Sequence, residues 1–174
     1  MADELPRRWL HVQSVAEKAE RIAPAFGNDG AILSASAWLH DIGYSSSAAK
    51  TGFHALDGAL YLRGLGEPPS LNCLVANHSG ALAEAELRGL ESAMYDFPDA
   101  DWSVRDALWA CDMTTGPSGD SVSFTERLDE IRRRYRPDDF VPVAIDTMSK
   151  ELRKAIRRTA TKVATNDIFV DLRI

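Results

Sequence analysis

The sequence predicts an all-α fold. Apolar residues recur at three- and four-residue spacing along most of the chain. No segment alternates apolar and polar residues as a half-buried strand does. Helix-length segments are punctuated by short clusters of Gly, Pro, Ser and Asn. With 174 residues, 45% hydrophobic and 26% charged, the chain suits one globular domain with a sizeable core. We read a domain over 1–174 with its core over about 6–134, a C-terminal helix over about 143–163 and a tail over 166–174.

The first helix is expected from Pro6 to Phe26, with Val12, Val15, Ala16, Ala19, Ile22 and Ala23 on one face and His11 sharing it. Gly27-Asn28 closes it, and Asp29 is the expected N-cap of a second helix running from Ala31 to Asp41. Ala35, Trp38, Leu39 and Ile42 form its apolar stripe, His40 and Asp41 stand at its end, and Gly43 stops it. Residues 45–52 read as a loop. A helix from His54 to Leu65 follows, with Gly58 one turn after His54, where a missing side chain permits close approach.

After the break at Gly64, Gly66, Pro68 and Pro69, Ser70 is the expected cap of a helix with Leu71, Leu74 and Val75 inward, His78 one turn further on and Ser79-Gly80 at its end. A short helix is expected at 81–90, a loop at 94–101, and a helix at 102–113 with Val104, Ala107, Leu108 and Cys111 inward and Asp112 at the edge of that face. Residues 114–121 form a Gly/Pro/Ser loop. Ser123-Phe124-Thr125-Glu126 is a capping box for a helix to Arg134, which Pro137 separates from the last helix. The tail at 166–174 reads as a short strand or ordered coil.

The formal net charge of −6 argues against a general nucleic-acid binder. The acidic N-terminus lacks a signal-peptide core, and no apolar run is long enough to span a membrane, so a cytoplasmic protein is expected. Cys73 and Cys111 are read as buried free thiols and the four tryptophans as packing residues. The runs Arg132-Arg133-Arg134 and Arg153-Lys154 with Arg157-Arg158 alternate with acidic residues and read as solvated helix faces. Outward apolar faces could support a homodimer.

The polar residues expected on inward faces are His11, His40, Asp41, His54, His78 and Asp112, which include every histidine of the chain. Neutral imidazole and carboxylate together suit divalent Fe, Mn, Ni, Co or Zn. Burying six such groups without a metal would need many compensating partners.

The order His11, His40-Asp41, Asp112 resembles the HD-domain superfamily of metal-dependent phosphohydrolases, over about Pro6 to Gly116. The added His54 and His78 resemble its two-metal branch, which includes HD-GYP phosphodiesterases and diadenosine tetraphosphate hydrolases. The resemblance implies a helical bundle around one or two metal ions held by these six residues. It also implies cleavage of a phosphate ester or anhydride of a small molecule, such as a nucleotide, by metal-activated water, with Asp41 bridging the metals or steering the water. Tyr44 stands where those relatives often carry lysine, and the GYP signature is absent, which points away from cyclic dinucleotide and diadenosine substrates. A di-iron oxygenase and a non-catalytic ligand-binding domain are the alternatives. Substrate contacts are expected from Arg8, one turn before His11, from Tyr44 and Lys50 after the HD pair, from Thr115 after Asp112, and from Arg127.

Overall fold

The computed structural model describes residues 1–99 and 102–174, with the side chain of Trp102 also outside the described residues. The expected loop at 94–101 is therefore described only to Asp99, and the packing role expected of Trp102 is not addressed. Nine α-helices follow one another among the described residues: α1 Pro6–Ile22, α2 Gly30–Leu39, α3 His54–Gly64, α4 Pro69–Ala76, α5 Ala81–Arg88, α6 Glu91–Met94, α7 Trp102–Met113, α8 Phe124–Arg134 and α9 Phe140–Ala164. There is no sheet among them; Thr115 and Ser121 form one isolated bridge. The all-α expectation holds, and no helix is long and apolar enough to cross a membrane among the described residues.

α1 begins with Pro6, whose fixed φ and missing N–H suit the first turn. Val12, Val15, Ala16, Ala19 and Ile22 are buried, each branched side chain contributing about 1.5–3 kcal/mol. The α-helix ends four residues earlier than expected and passes into a 3₁₀ segment, Ala23–Asp29, that bends at Gly27 with φ 56°. Asp29 precedes α2, but its side chain caps nothing. Ser70 likewise lies inside α4, which starts at Pro69 with no side-chain cap. The Ser123–Glu126 capping box forms as expected.

α2 is apolar all round because it is central. Leu33 and Ala37 join α1 and α7 in one core cluster. Ala35, Leu39 and Ile42 pack only partly buried against Leu62, Leu71 and Val75 of α3 and α4. The stripe expected to be the buried one is thus the less buried of two. α9 starts at Phe140, three residues early, because Pro142 falls in the first turn, where no intrahelical N–H is needed. α9 packs on α5, α7 and α8. The tail is coil: Arg173 O accepts from the Phe124 N–H, while Ile168, Val170 and Leu172 cover the core clusters. Cys111 is buried, whereas Cys73 is only half-buried.

One close approach sets the geometry around the HD pair. Gly43, in the 3₁₀ turn Ile42–Tyr44, lies against the first turn of α3, and a Cβ there would sit 1.9 Å from His54 O and 2.7 Å from Gly58 N. Gly58 answers it, with Gly43 N 3.2 Å from its own Cβ position. Gly43→Ala should therefore destabilise by about 2–3 kcal/mol or more through overpacking. Gly64→Ala, where nothing lies near the added carbon, should be neutral or stabilising by up to about 1 kcal/mol. Thermal melts of the two variants check the contrast.

Candidate metal centre

Five places in the fold deliver the six candidate ligands. His11 is on the second turn of α1, His40 and Asp41 follow the last turn of α2, His54 opens α3, His78 follows α4, and Asp112 is in the last turn of α7. Asp41 sits at φ −100°, ψ 9°, the bridge region between helix and strand. His11, His40, Asp41, His78 and Asp112 are buried and His54 nearly so.

The Asp41 carboxylate is the centre. Its Oδ2 lies 3.4 Å from His40 Nε2 and 4.0 Å from His11 Nε2; its Oδ1 lies 3.6 Å from His54 Nε2 and 4.0 Å from His78 Nε2. Asp112 Oδ1 stands 3.1 Å from His11 Nε2. His54 Nε2 and His78 Nε2 are 3.0 Å apart. All four imidazoles turn Nε2 toward the carboxylates.

Backbone carbonyls fix three of the rings. His11 Nδ1 is 3.0 Å from Gly116 O, His40 Nδ1 2.7 Å from Ala37 O and His78 Nδ1 2.6 Å from Val75 O. A carbonyl only accepts, so each Nδ1 carries a proton, which leaves Nε2 as the ring atom free to offer a lone pair. Burial pushes His54 and His78 down, with His78 acting further on His54 and His40 on His78, so both favour the neutral, metal-ligating form.

Burial alone would raise Asp41, but the Arg8 guanidinium 2.9 Å away outweighs it and holds the carboxyl well below its usual range. Lone pairs therefore face ionised oxygens with few donors between them. His40 Nε2 is buried with no hydrogen-bond partner at all.

Such a set fits a cation. His11, His40 and Asp112 form one group whose ligand atoms lie within 4.8 Å of one another, and Asp41, His54 and His78 form a second. Two ligands about 2.1 Å from one ion at a right angle stand about 3 Å apart, matching the His54–His78 separation. The two Asp41 oxygens face different groups.

Surrounding residues hold this arrangement. Arg8 donates to Asp41 Oδ2 at 2.9 Å and lies 4.2 Å over the Tyr44 ring, which stacks on His54 at 4.2 Å. Burial and Asp41 push the Tyr44 hydroxyl upward, keeping it protonated. A cleft of about 580 Å³, counting its open mouth, lies over the centre; Arg8, Tyr44 and Arg127 line it, but Lys50 and Thr115 do not. Lys50 is exposed on a loop whose N–H groups turn toward Asp57. The Thr115 hydroxyl is buried and donates to Cys111 O, closing the end of α7. The loop after Asp112 reaches the site instead through Gly116 O.

The sequence reading missed four residues here. Ser79 (φ 44°, ψ 42°) donates its hydroxyl to Asp112 Oδ2; it was read as part of a helix end, and its neighbour Gly80 was the one local signal of a left-handed turn. Asn77 O accepts from Trp109 Nε1 at 2.8 Å, which pins the turn carrying His78. Asp57 accepts from the N–H groups of Lys50, Thr51 and Gly52, shaping the loop that leads into His54. Arg134, read as a solvated charge, lines the cleft.

A family model described as the HD domain matches residues 8–109. No curated protein and no solved structure matches the chain.

Bound divalent metal should stabilise this fold, because it relieves the facing lone pairs only in the native state. Chelation should lower Tm by about 5–10 °C, and Asp41→Asn, which replaces one acceptor by a donor, should cut that difference by about half or more. Scanning calorimetry with and without chelator checks both.

Proposed function

The chain belongs to the HD-domain family, and from that premise we propose that it is a metal-dependent phosphohydrolase of a small molecule. HD domains are generally metal-dependent phosphohydrolases, and the two His/Asp groups here are compatible with metal binding. The observation that carries the finer reading is the cleft: the guanidinium groups of Arg8, Arg127 and Arg134 share one wall system with Asp41, His54, His78 and Asp112. Arginine forks suit phosphoryl oxygens, so metal ligands and anion-binding groups converge on one space.

In this reading His11, His40, Asp41 and Asp112 hold one ion, and Asp41, His54 and His78 hold a second. Divalent ions there supply Lewis acidity toward a phosphoryl oxygen and lower the pKa of water. The chain's own groups do the rest. Asp41 is kept ionised by Arg8, so it keeps two acceptor oxygens at neutral pH. Arg8, tied to Asp41 and stacked on Tyr44, places a fixed positive charge at the rim. Tyr44, protonated and stacked on His54, offers an O–H to the oxygen that departs.

Elemental analysis of the purified protein, followed by a phosphate-ester and anhydride panel with the metal found, tests the proposal. The expected result is orthophosphate release from at least one ester, with kcat lowered by about 100-fold or more in Asp41→Asn. Bound iron with oxygen uptake and no phosphate release would replace this reading with the oxygenase one. Metal-free protein that stays inert after reconstitution would leave a ligand-binding domain.

A further inference from the structure

α8 and the start of α9 lie beyond the family-matched residues, yet they build the outer wall of the cleft. Arg127, Ile131 and Arg134 fall at i, i+4 and i+7 on α8 and all three line it, as do Val141 and Ile145 at i and i+4 of α9. The wall is thus cationic in one part and aliphatic in another.

Arg127 is the unusual member. Its side chain is 7% exposed, and its Nη1 donates to Glu130 at 2.5 Å. Its Nε is buried with no hydrogen-bond partner. A buried guanidinium N–H without an acceptor is uncommon in a native fold and calls for an explanation, such as a bound water or ion that completes it; Arg105 Nε is a second such atom here. It lines the same cleft as Asp112. Glu130 is shared with Arg134, whose Nη2 donates to it at 2.5 Å. One carboxylate against two guanidinium groups leaves net positive charge, which suits a dianionic terminal phosphate better than a singly charged diester.

Tyr135 adds an aromatic ring beside the aliphatic residues, but the rest of the wall offers few polar partners to the edge of a nucleobase. No Asn or Gln lines the cleft among the described residues. Ser79 is engaged with Asp112, and Glu84 with Arg88. Ile131, Val141 and Ile145 offer only aliphatic surface.

Building on the phosphohydrolase reading, we propose that the substrate is the phosphate monoester of a small apolar alcohol or phenol, its phosphate held by Arg127 and Arg134 and its organic group lying on Ile131, Tyr135, Val141 and Ile145. Hydrolysis forms one P–O bond from water and breaks the ester P–O bond. The alcohol leaves with one of water's protons, and orthophosphate keeps the other.

Metal-loaded protein tests this in two ways. By calorimetry, Arg127→Met should weaken orthophosphate binding about tenfold or more with bound metal per chain unchanged, and Arg127→Lys should recover part of the loss. In turnover, hexyl and phenyl phosphate should exceed nucleoside 5′-monophosphates in kcat/KM by about tenfold, and Val141→Asn should shrink that ratio by raising KM for the apolar esters. Unchanged phosphate affinity in Arg127→Met, or a preference for nucleotides, overturns the inference while leaving the phosphohydrolase reading intact. A wild-type protein that holds metal but neither binds orthophosphate nor releases it overturns both.

Discussion

The structure depends on a crowd of acceptors around one buried carboxylate. Four Nε2 atoms approach the two oxygens of Asp41 within 3.4–4.0 Å, and Asp112 adds another carboxylate 3.1 Å from His11. Removing one charge from water costs several kcal/mol, and like partners do not repay it. Arg8 is the one guanidinium bonded directly to Asp41 among the described residues, and it cannot serve Asp112 or the four lone pairs at once. The fold assembles ligands at the ends of helices from distant parts of the chain, and a divalent cation is the simplest species that makes their convergence favourable.

Such a centre needs walls that do not yield. Carbonyls of Ala37, Val75 and Gly116 orient three imidazoles by accepting from Nδ1, so rotating a ring costs a buried hydrogen bond. The contact of Gly43 with Gly58 and His54 O locks the α2 end to the start of α3 with no side chain between them. Trp109, from α7, reaches Asn77 O and fixes the turn bearing His78. Ser79 holds a left-handed conformation that costs about 1–2 kcal/mol for a residue with a Cβ, and from it reaches Asp112. Strain of that kind persists where the surroundings demand it.

The fold class and the ligand convergence were legible in the sequence because both follow from periodicity. His11 shares a face with Val15 and Ala19, so burying those residues carries the imidazole inward with them. His40-Asp41 and His78 lie one or two residues past helix ends, where the chain is still near the core but its groups are free to turn. Periodicity fails where neighbours decide. α2 carries apolar residues on all sides, so no single stripe could be singled out. Asp57 looks like an ordinary first-turn acid until the loop at 50–52 folds over it. Thr115 and Lys50 lie near the ligands in sequence, but one hydroxyl closes a helix and one side chain points to solvent. Arg134 was hidden by its neighbours Arg132 and Arg133, since a run of three basic residues gives no sign that one of them turns to a cleft.

The division of labour along the chain follows from these constraints. The six candidate ligands come from the part of the chain that runs from α1 to α7, and their convergence depends on how those helix ends are held. The outer wall comes from α8 and α9, which touch the centre through the cleft rather than through the ligands. Their anchoring rests on α7, where Phe124, Leu128, Ile131, Leu152 and Ile156 share one cluster with it, on the Ser123–Glu126 box at the start of α8, and on the turn after His78, where Met148 of α9 lies against Gly80. In the proposed function, residues on that wall would meet the organic group of the substrate while Asp41 keeps its own contacts with Arg8 and the imidazoles. Arg127 joins the two parts, since it is carried by α8 and lines the cleft together with Asp112.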